Sequence, residues 1–275
     1  MLHGRDEVAR MMQQDATVLW NRPVGGGCYQ LGLGCPEGFA AAGPGQFVMV
    51  QVGRPPVPLL RRPFSLFGLL GDGPHPKGFE LLYKVVGQGT QLLSQTRAGQ
   101  TVSVLGPLGR GFQVDPRKNR WFLAAGGIGV APIRFLAVRM LALGLPAENI
   151  HVFLGGQSRQ DLLCQDEFET LGMPVQVTTD DGSAGDQCLI TDPLEQAVAD
   201  RPPDMVYACG PPGMLQCVAG MVRRYKIACQ VSVETLMACG IGACLGCAVK
   251  SARNKERYLH VCMNGPVFAA EELEF

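Results

Sequence analysis

Four cysteines near the C-terminal end have the type and spacing for metal chemistry. Cys239, Cys244 and Cys247 are separated by four and two residues, and Cys262 follows after fourteen more. This is the order C-x4-C-x2-C…C, in which one short loop aims three thiolates at a [2Fe–2S] cluster and a remote cysteine supplies the fourth. Gly240, Gly242 and Gly246 give the loop a backbone that can wrap tightly. They also leave N–H groups free to point at sulfur and tune its potential. Zinc accepts four thiolates too, but its structural sites use two short cysteine pairs. The other seven cysteines, Cys28, Cys35, Cys164, Cys188, Cys209, Cys217 and Cys229, show no comparable spacing, and most read as small buried hydrophobes.

Two further stretches carry candidate chemistry. Arg62-Pro63-Phe64-Ser65 combines a fixed cation, a rigid turn residue, an aromatic ring and a hydroxyl. The cation suits a pyrophosphate, and the hydroxyl could donate to a ring nitrogen. Leu82-Tyr83-Lys84-Val85-Val86-Gly87-Gln88-Gly89-Thr90 reads as a strand ending in a glycine turn. There Thr90 is expected to cap a short helix over 91–96, whose N-terminus would be an anion site. An Arg-Pro strand start and an ordinary strand–turn–helix junction are the plainer readings of the two.

The elements that must position these residues follow from the pattern. Strands are expected at 28–33, 46–52, 63–69, 79–86 and 101–105, without long helices between them. Residues 1–116 therefore read as a small antiparallel β-barrel domain. The pattern changes near Arg120. An apolar strand at 121–125 runs into Gly126-Gly127-Ile128-Gly129, followed by a helical stripe of Ile133, Leu136, Ala137, Met140 and Leu141. Strands at 150–154, 175–179 and 205–209 alternate with helices at 161–171, 192–199 and 213–224. Residues 117–226 thus read as a doubly wound α/β domain with a parallel sheet. Its ligand is expected at the C-terminal strand ends, which carry Gly127 and Gly129, Asp181 within Asp180-Asp181-Gly182-Ser183, and Cys209-Gly210-Pro211. After the second strand an acid would favour NAD, whereas Arg159 leaves NADP open. Residues 227–275 form the third unit, a cluster-binding domain.

Composition excludes several classes. The chain has 275 residues, zero net charge and 47% hydrophobic content, so packed cores are expected and nucleic acid or an anionic membrane is not. No apolar run reaches the roughly 18 residues of a spanning helix. The first fourteen residues carry acids and lack a signal-peptide core. Eleven cysteines without a signal point to a reducing cytoplasm rather than a disulfide framework.

Taken in order, the barrel motifs, the Gly-x-Gly turn before Pro132 and the Cys-Gly-Pro stretch resemble the ferredoxin–NADP reductase superfamily. That resemblance implies FAD, with Arg62 and Thr90 at its pyrophosphate and Ser65 at the isoalloxazine. Leu82, Tyr83 and Lys84 would line the flavin and its adenosine portion. With Glu-Thr-Leu-Met-Ala-Cys-Gly-Ile-Gly-Ala-Cys-Leu-Gly-Cys included, nearly the whole chain is similar to the electron-transfer subunits of class 1B dihydroorotate dehydrogenases. Cys188 departs from the glycine usual there, and the interval from Cys247 to Cys262 is short. The resemblance implies a [2Fe–2S] cluster held by Cys239, Cys244, Cys247 and Cys262, with NAD+ as acceptor. It further implies an FMN-containing dihydroorotate-oxidising partner in a heterotetramer of two copies of each. Alternatives are a reductase subunit of a hydrogenase, sulfide-dependent or transhydrogenase-type complex, and a zinc-stabilised nucleotide-binding regulator. No catalytic histidine is expected among His3, His75, His151 and His260; His260 is a minor candidate for a cluster neighbour.

Overall fold

A computed structural model describes residues 11–35, 38–53, 58–71, 75–254 and 256–275. His3 and most of the N-terminal stretch singled out above lie outside the described residues. Six strands close an antiparallel barrel: β1 (Met12–Gly25), β2 (Cys28–Gly34), β3 (Phe47–Gln51), β4 (Arg62–Leu70), β5 (Gly78–Lys84) and, after helix α1 (Gln88–Ser94), β6 (Thr101–Leu108). Their order around the barrel is β1-β2-β5-β4-β3-β6. Alternate residues point inward, and Leu31, Leu33, Val48, Val50, Leu66, Phe79, Leu81 and Val104 fill the interior. Rings of Phe39 and Phe79 stack 4.4 Å apart within this core.

The sequence pattern does not announce β1. Of its fourteen residues only Ala16 and Val18 are buried, so the apolar alternation is too sparse to read. Yet β1 closes the barrel: Met12–Thr17 pair with β6, and the strand then turns along β2 as far as Gly25. A second difference concerns Thr90. It does not cap the helix, because α1 starts earlier, with Gly87 as N-cap. Its hydroxyl reaches back, accepting from the Val86 and Gly87 N–H groups and donating to the Gly87 carbonyl.

The second unit alternates β7 (Trp121–Gly126), α2 (Val130–Ala142), β8 (Ile150–Gly156), α3 (Gln165–Thr170), β9 (Val175–Thr179), α4 (Thr191–Asp200), β10 (Met205–Cys209) and α5 (Pro212–Tyr225). The expected helix at 161–171 is shorter. Ser158 and Asp161 instead cap a tight 3₁₀ turn, and Cys164 adopts a left-handed backbone (φ 65°) that delays the helix. β11 (Cys229–Ser232) extends the parallel sheet. After β12 (Ala248–Lys250), β13 (Tyr258–His260) and the short helix α6 (Val261–Asn264), the strand β14 (Val267–Ala269) adds an antiparallel edge. The sheet order is β14-β11-β10-β7-β8-β9. Two strands from 227–275 therefore complete the nucleotide-domain sheet, while 234–265 form the excursion that bears the four cysteines.

The excursion has too little apolar surface for a core of its own, and it borrows one. Cys247, Val261, Cys262 and Phe268 pack in a single cluster with Phe47, Met49 and Leu108 of the barrel and Val206 and Val231 of the sheet. Backbone bonds reinforce the junction: the Arg110 N–H donates to Gly265 O at 2.6 Å, and the Val267 N–H donates to Arg110 O. Elsewhere Arg134 of α2 ties the second unit to the barrel. Its guanidinium lies over the Phe67 ring at 4.7 Å, and its Nε donates to Glu167 at 2.9 Å. Burial pushes the nearby Glu80 carboxyl up, opposed by Arg134 and by the Gln30 amide that donates to it. Among the described residues no helix is long and apolar enough to cross a membrane.

Only 22% of the Arg134 side chain is exposed, so its ring contact is shielded from water. Arg134→Ala is expected to lower unfolding free energy by about 1–2 kcal/mol, from the lost cation–π contact and ion pair. The midpoint of urea unfolding checks this value.

Candidate functional site

The cysteine loop is held open by its backbone. Gly240 and Gly242 have φ of +72° and +80°, and a Cβ on either would strike Met49 or Met263 at 2.6–2.7 Å. Leu245 also takes a left-handed conformation (φ 58°). These turns direct N–H groups inward: Ile241 and Cys244 donate to Cys239 Sγ at 3.5 and 3.4 Å, and Cys262 donates to Cys247 Sγ at 3.5 Å. Burial raises the Cys239 thiol, but these donors and that of Ala243 outweigh it and bring it to about 7. Burial and the neighbouring Cys247 push Cys262 up to about 12.

The thiols fall into two pairs. Cys247 and Cys262 are buried with Sγ atoms 3.3 Å apart, well beyond the ~2.05 Å of a disulfide. Cys239 and Cys244 form the second, more exposed pair. Two pairs, each able to hold one iron, fit a [2Fe–2S] cluster. All eleven cysteines are free thiols.

The two barrel motifs meet. β3 and β4 pair Val50 with Arg62, Met49 with Pro63, Val48 with Phe64 and Phe47 with Ser65. The Arg62 side chain crosses to α1, where a Cβ on Gly89 would lie 3.1 Å from its Nε. The Arg62 guanidinium is anchored by the Leu60 carbonyl at 2.7 Å. Tyr83 stacks on Tyr29 and meets the Phe64 ring edge-on, each at 5.7 Å. Its hydroxyl donates to Asn21, which in turn donates to the Leu93 and Thr96 carbonyls and so fixes α1. A guanidinium against a glycine in the first turn of a helix, on a strand that also carries Phe64, fits a flavin with its pyrophosphate. Leu82 is buried toward the second unit, and the donor capacity of the Thr90 hydroxyl is spent on Gly87.

A cavity of about 930 Å3 opens at the C-terminal ends of β7, β8, β9 and β10. Gly127, Gly129, Gly210 and Pro211 line it, and so does Lys84, which the sequence places at the flavin. A Cβ on Gly129 would lie 2.4 Å from the Cys209 carbonyl, so this floor admits only glycine. Such a glycine floor leading into helix α2 fits a dinucleotide pyrophosphate. Cys209 sits beneath the floor, fully buried, and burial pushes its thiol up. Asp181 does not line the cavity; its carboxylate accepts from the Ser183 N–H and hydroxyl. Asp180 lines it instead. Glu234, on the wall after β11, opens the Glu-Thr-Leu-Met-Ala-Cys stretch, whose cysteines point to metal, so in sequence the acid has no coenzyme role. Its side chain is exposed at the cavity wall, and partial desolvation there raises its carboxyl. His260 lies in β13, with a shielded Nδ1 that has no hydrogen-bond partner among the described residues.

Comparison with known proteins agrees with this geometry. Residues 234–274 match the family model "Iron-sulfur cluster binding domain of dihydroorotate dehydrogenase B", and residues 123–220 match "Oxidoreductase NAD-binding domain". A solved NADH-dependent reduced ferredoxin–NADP oxidoreductase, studied for flavin-based electron bifurcation, superposes with a TM-score of 0.80 at 27% identity, covering 94% of this chain and 89% of that one. A ferredoxin–NADP+ reductase from Neisseria gonorrhoeae shares the fold (TM-score 0.64, 14% identity, 78% of this chain and 91% of that one). Fold and site thus define a flavin- and nicotinamide-linked oxidoreductase with an appended iron–sulfur loop. The dihydroorotate dehydrogenase B (NAD(+)) electron transfer subunit of Desulforamulus reducens is 37% identical over 92% of this chain and 95% of its own length. That of a Geobacillus species (strain WCH70) is 36% identical over 96% and 99%. The chain belongs to this family of electron transfer subunits.

Gly240→Ala would force a Cβ into Met49 at a left-handed position. The expected outcome is iron content reduced at least severalfold with flavin retained, read by an iron assay and the visible spectrum.

Proposed function

We propose that the chain receives electrons from a dihydroorotate-oxidising partner subunit and delivers them to NAD+, as an oxidoreductase subunit of pyrimidine biosynthesis. The observation that carries this reading is the two-by-two thiol arrangement at an exposed apolar rim. It occurs in a chain that matches electron transfer subunits along nearly its full length. When bound, the [2Fe–2S] cluster supplies one-electron transfer, and the flavin links single electrons to hydride chemistry at the nicotinamide.

This chain's residues bind, orient and insulate. Cys239, Cys244, Cys247 and Cys262 hold the cluster, with N–H donors on the sulfurs tuning its potential. Arg62 and the backbone at Gly89 and Thr90 take the flavin pyrophosphate. Ser65, whose hydroxyl has no hydrogen bond among the described residues, faces the flavin ring with Pro63 and Phe64. Leu82, Tyr83 and Lys84 flank the flavin and its adenosine portion. Gly127, Gly129, Gly210 and Pro211 admit NAD(H), with Cys209 beneath and Asp181 fixing the loop at the far strand end. No side chain is assigned as a catalytic acid or base. The residue divisions 1–116, 117–226 and 227–275 describe the flavin, nucleotide and cluster functions, although the sheet spans the second boundary.

The partner is assigned as an FMN-containing catalytic subunit, in a cytoplasmic heterotetramer with two copies of each. Its docking face is the rim of the cysteine loop, where Leu236 is 90% exposed and Ile241, Leu245 and Met263 are also open. Electrons have to enter close to the more exposed thiol pair. Cys244→Ser is expected to lose the cluster and abolish dihydroorotate-to-NAD+ transfer in the assembled complex, while FAD and NADH–dye reduction persist. Retention of dihydroorotate-to-NAD+ transfer in that variant would falsify the route.

A further inference from the structure

The charged side chains that line the coenzyme cavity are unbalanced. Asp161, Asp180, Glu234 and Glu274 supply four carboxylates against the single ammonium of Lys84, with no arginine or histidine. Lys84 is already committed, since its Nζ donates to Asp161 Oδ1 at 2.8 Å. This ion pair joins the barrel to the loop after β8, and the same junction brings Gly26 against Gln160, where a Cβ would lie 2.2 Å from the Gln160 carbonyl. Asp161 is further held by the Ser158 N–H at 3.3 Å. Asp180 is set beside it in the fold, because its N–H donates to Gly156 O at the end of β8.

The position of these two acids within the cavity is informative. Given the proposed placement of NAD(H), its pyrophosphate lies at the Gly127–Gly129 floor and its nicotinamide toward Gly210 and Pro211. The adenosine ribose then falls toward the ends of β8 and β9, where Asp161 and Asp180 stand. A ribose 2′-hydroxyl can donate to a carboxylate, whereas a 2′-phosphate meets like charge there. Arg159, the cation that left NADP open in sequence, does not line the cavity. Its backbone N–H is tied to the Ser183 hydroxyl at 2.8 Å.

We propose that Asp161 and Asp180 are the specificity-determining residues that make the cavity take NAD(H) and reject coenzymes bearing a 2′-phosphate. Lys84 moderates that rejection by neutralising Asp161 from the flavin side. The inference rests on the coenzyme site proposed above, but not on the cluster or on the identity of the electron donor.

Calorimetric titration of the assembled, cofactor-loaded complex with ADP-ribose and with its 2′-phosphorylated form tests this directly. The unmodified complex is expected to prefer ADP-ribose by at least about tenfold, the size of one close like-charge contact. Asp161→Asn, which frees Lys84, and Asp180→Asn should each cut the preference several-fold. Lys84→Gln should raise it, a direction that general damage to the site would not produce. Arg159→Ala should leave it unchanged. Equal binding of the two fragments by the unmodified complex, an unaltered ratio in both aspartate variants, or a large change in Arg159→Ala overturns the assignment. Failure of dihydroorotate-to-NAD+ transfer with the fragment preference intact would instead count against the proposed function alone.

Discussion

Met49 lies directly beneath Gly240, and this contact fixes the relation between the two ends of the molecule. Met49 is fully buried in β3, and the strand paired with β3 carries Arg62, Pro63, Phe64 and Ser65. The cysteine loop is therefore seated one strand away from the Arg-Pro-Phe-Ser stretch, a step of about 4.8 Å. A glycine-rich loop has little intrinsic rigidity. Pressing its backbone onto a side chain locked inside a closed barrel supplies that rigidity, and only glycine permits so close an approach with φ of +72°.

The same economy runs through the rest of the chain. The barrel, the sheet and the cysteine excursion share one apolar cluster, with Phe47 and Leu108 from the first, Val206 and Val231 from the second and Cys247 and Cys262 from the third. Two of the proposed ligand thiols are thus also core residues. A disturbance of packing near Val261 is felt at Cys262, and loss of a thiol leaves a gap in a dense interior. The exposed pair, Cys239 and Cys244, is free of that constraint and instead borders the open apolar rim.

Much of this was legible in the sequence where chemistry and pattern coincide. The cysteine spacing, the Arg-Pro-Phe-Ser strand, the Gly-x-Gly turn after an apolar strand and the α/β alternation each appear in the structure near their expected positions. Illegible features have physical reasons. β1 is polar along most of its length because it lies on the barrel surface, so its burial pattern carries little signal. Thr90 reads as a helix cap, but its hydroxyl reaches backward because the glycine at 87 lets the helix begin sooner. Asp180 and Asp181 are adjacent in sequence and indistinguishable there. In the fold the Ser183 hydroxyl claims Asp181, and Asp180 is left facing the cavity. Glu234 becomes visible only when the excursion folds back over the strand ends.

The excursion is, topologically, an insertion into a hairpin. Ser232 of β11 and Val267 of β14 are paired neighbours, and all four proposed cluster cysteines lie in the chain between them. Its two ends are pinned side by side by the sheet, so the segment is a single topological insertion, although Cys247, Val261 and Cys262 fill part of the shared core and that space would need repacking. Splicing β11 to β14 through a short turn would leave all six strands of the sheet and all six of the barrel in register. What would remain is a plain flavin-and-nicotinamide reductase, so this architecture can gain or shed its connection to an outside electron donor without refounding the fold that does the two-electron chemistry.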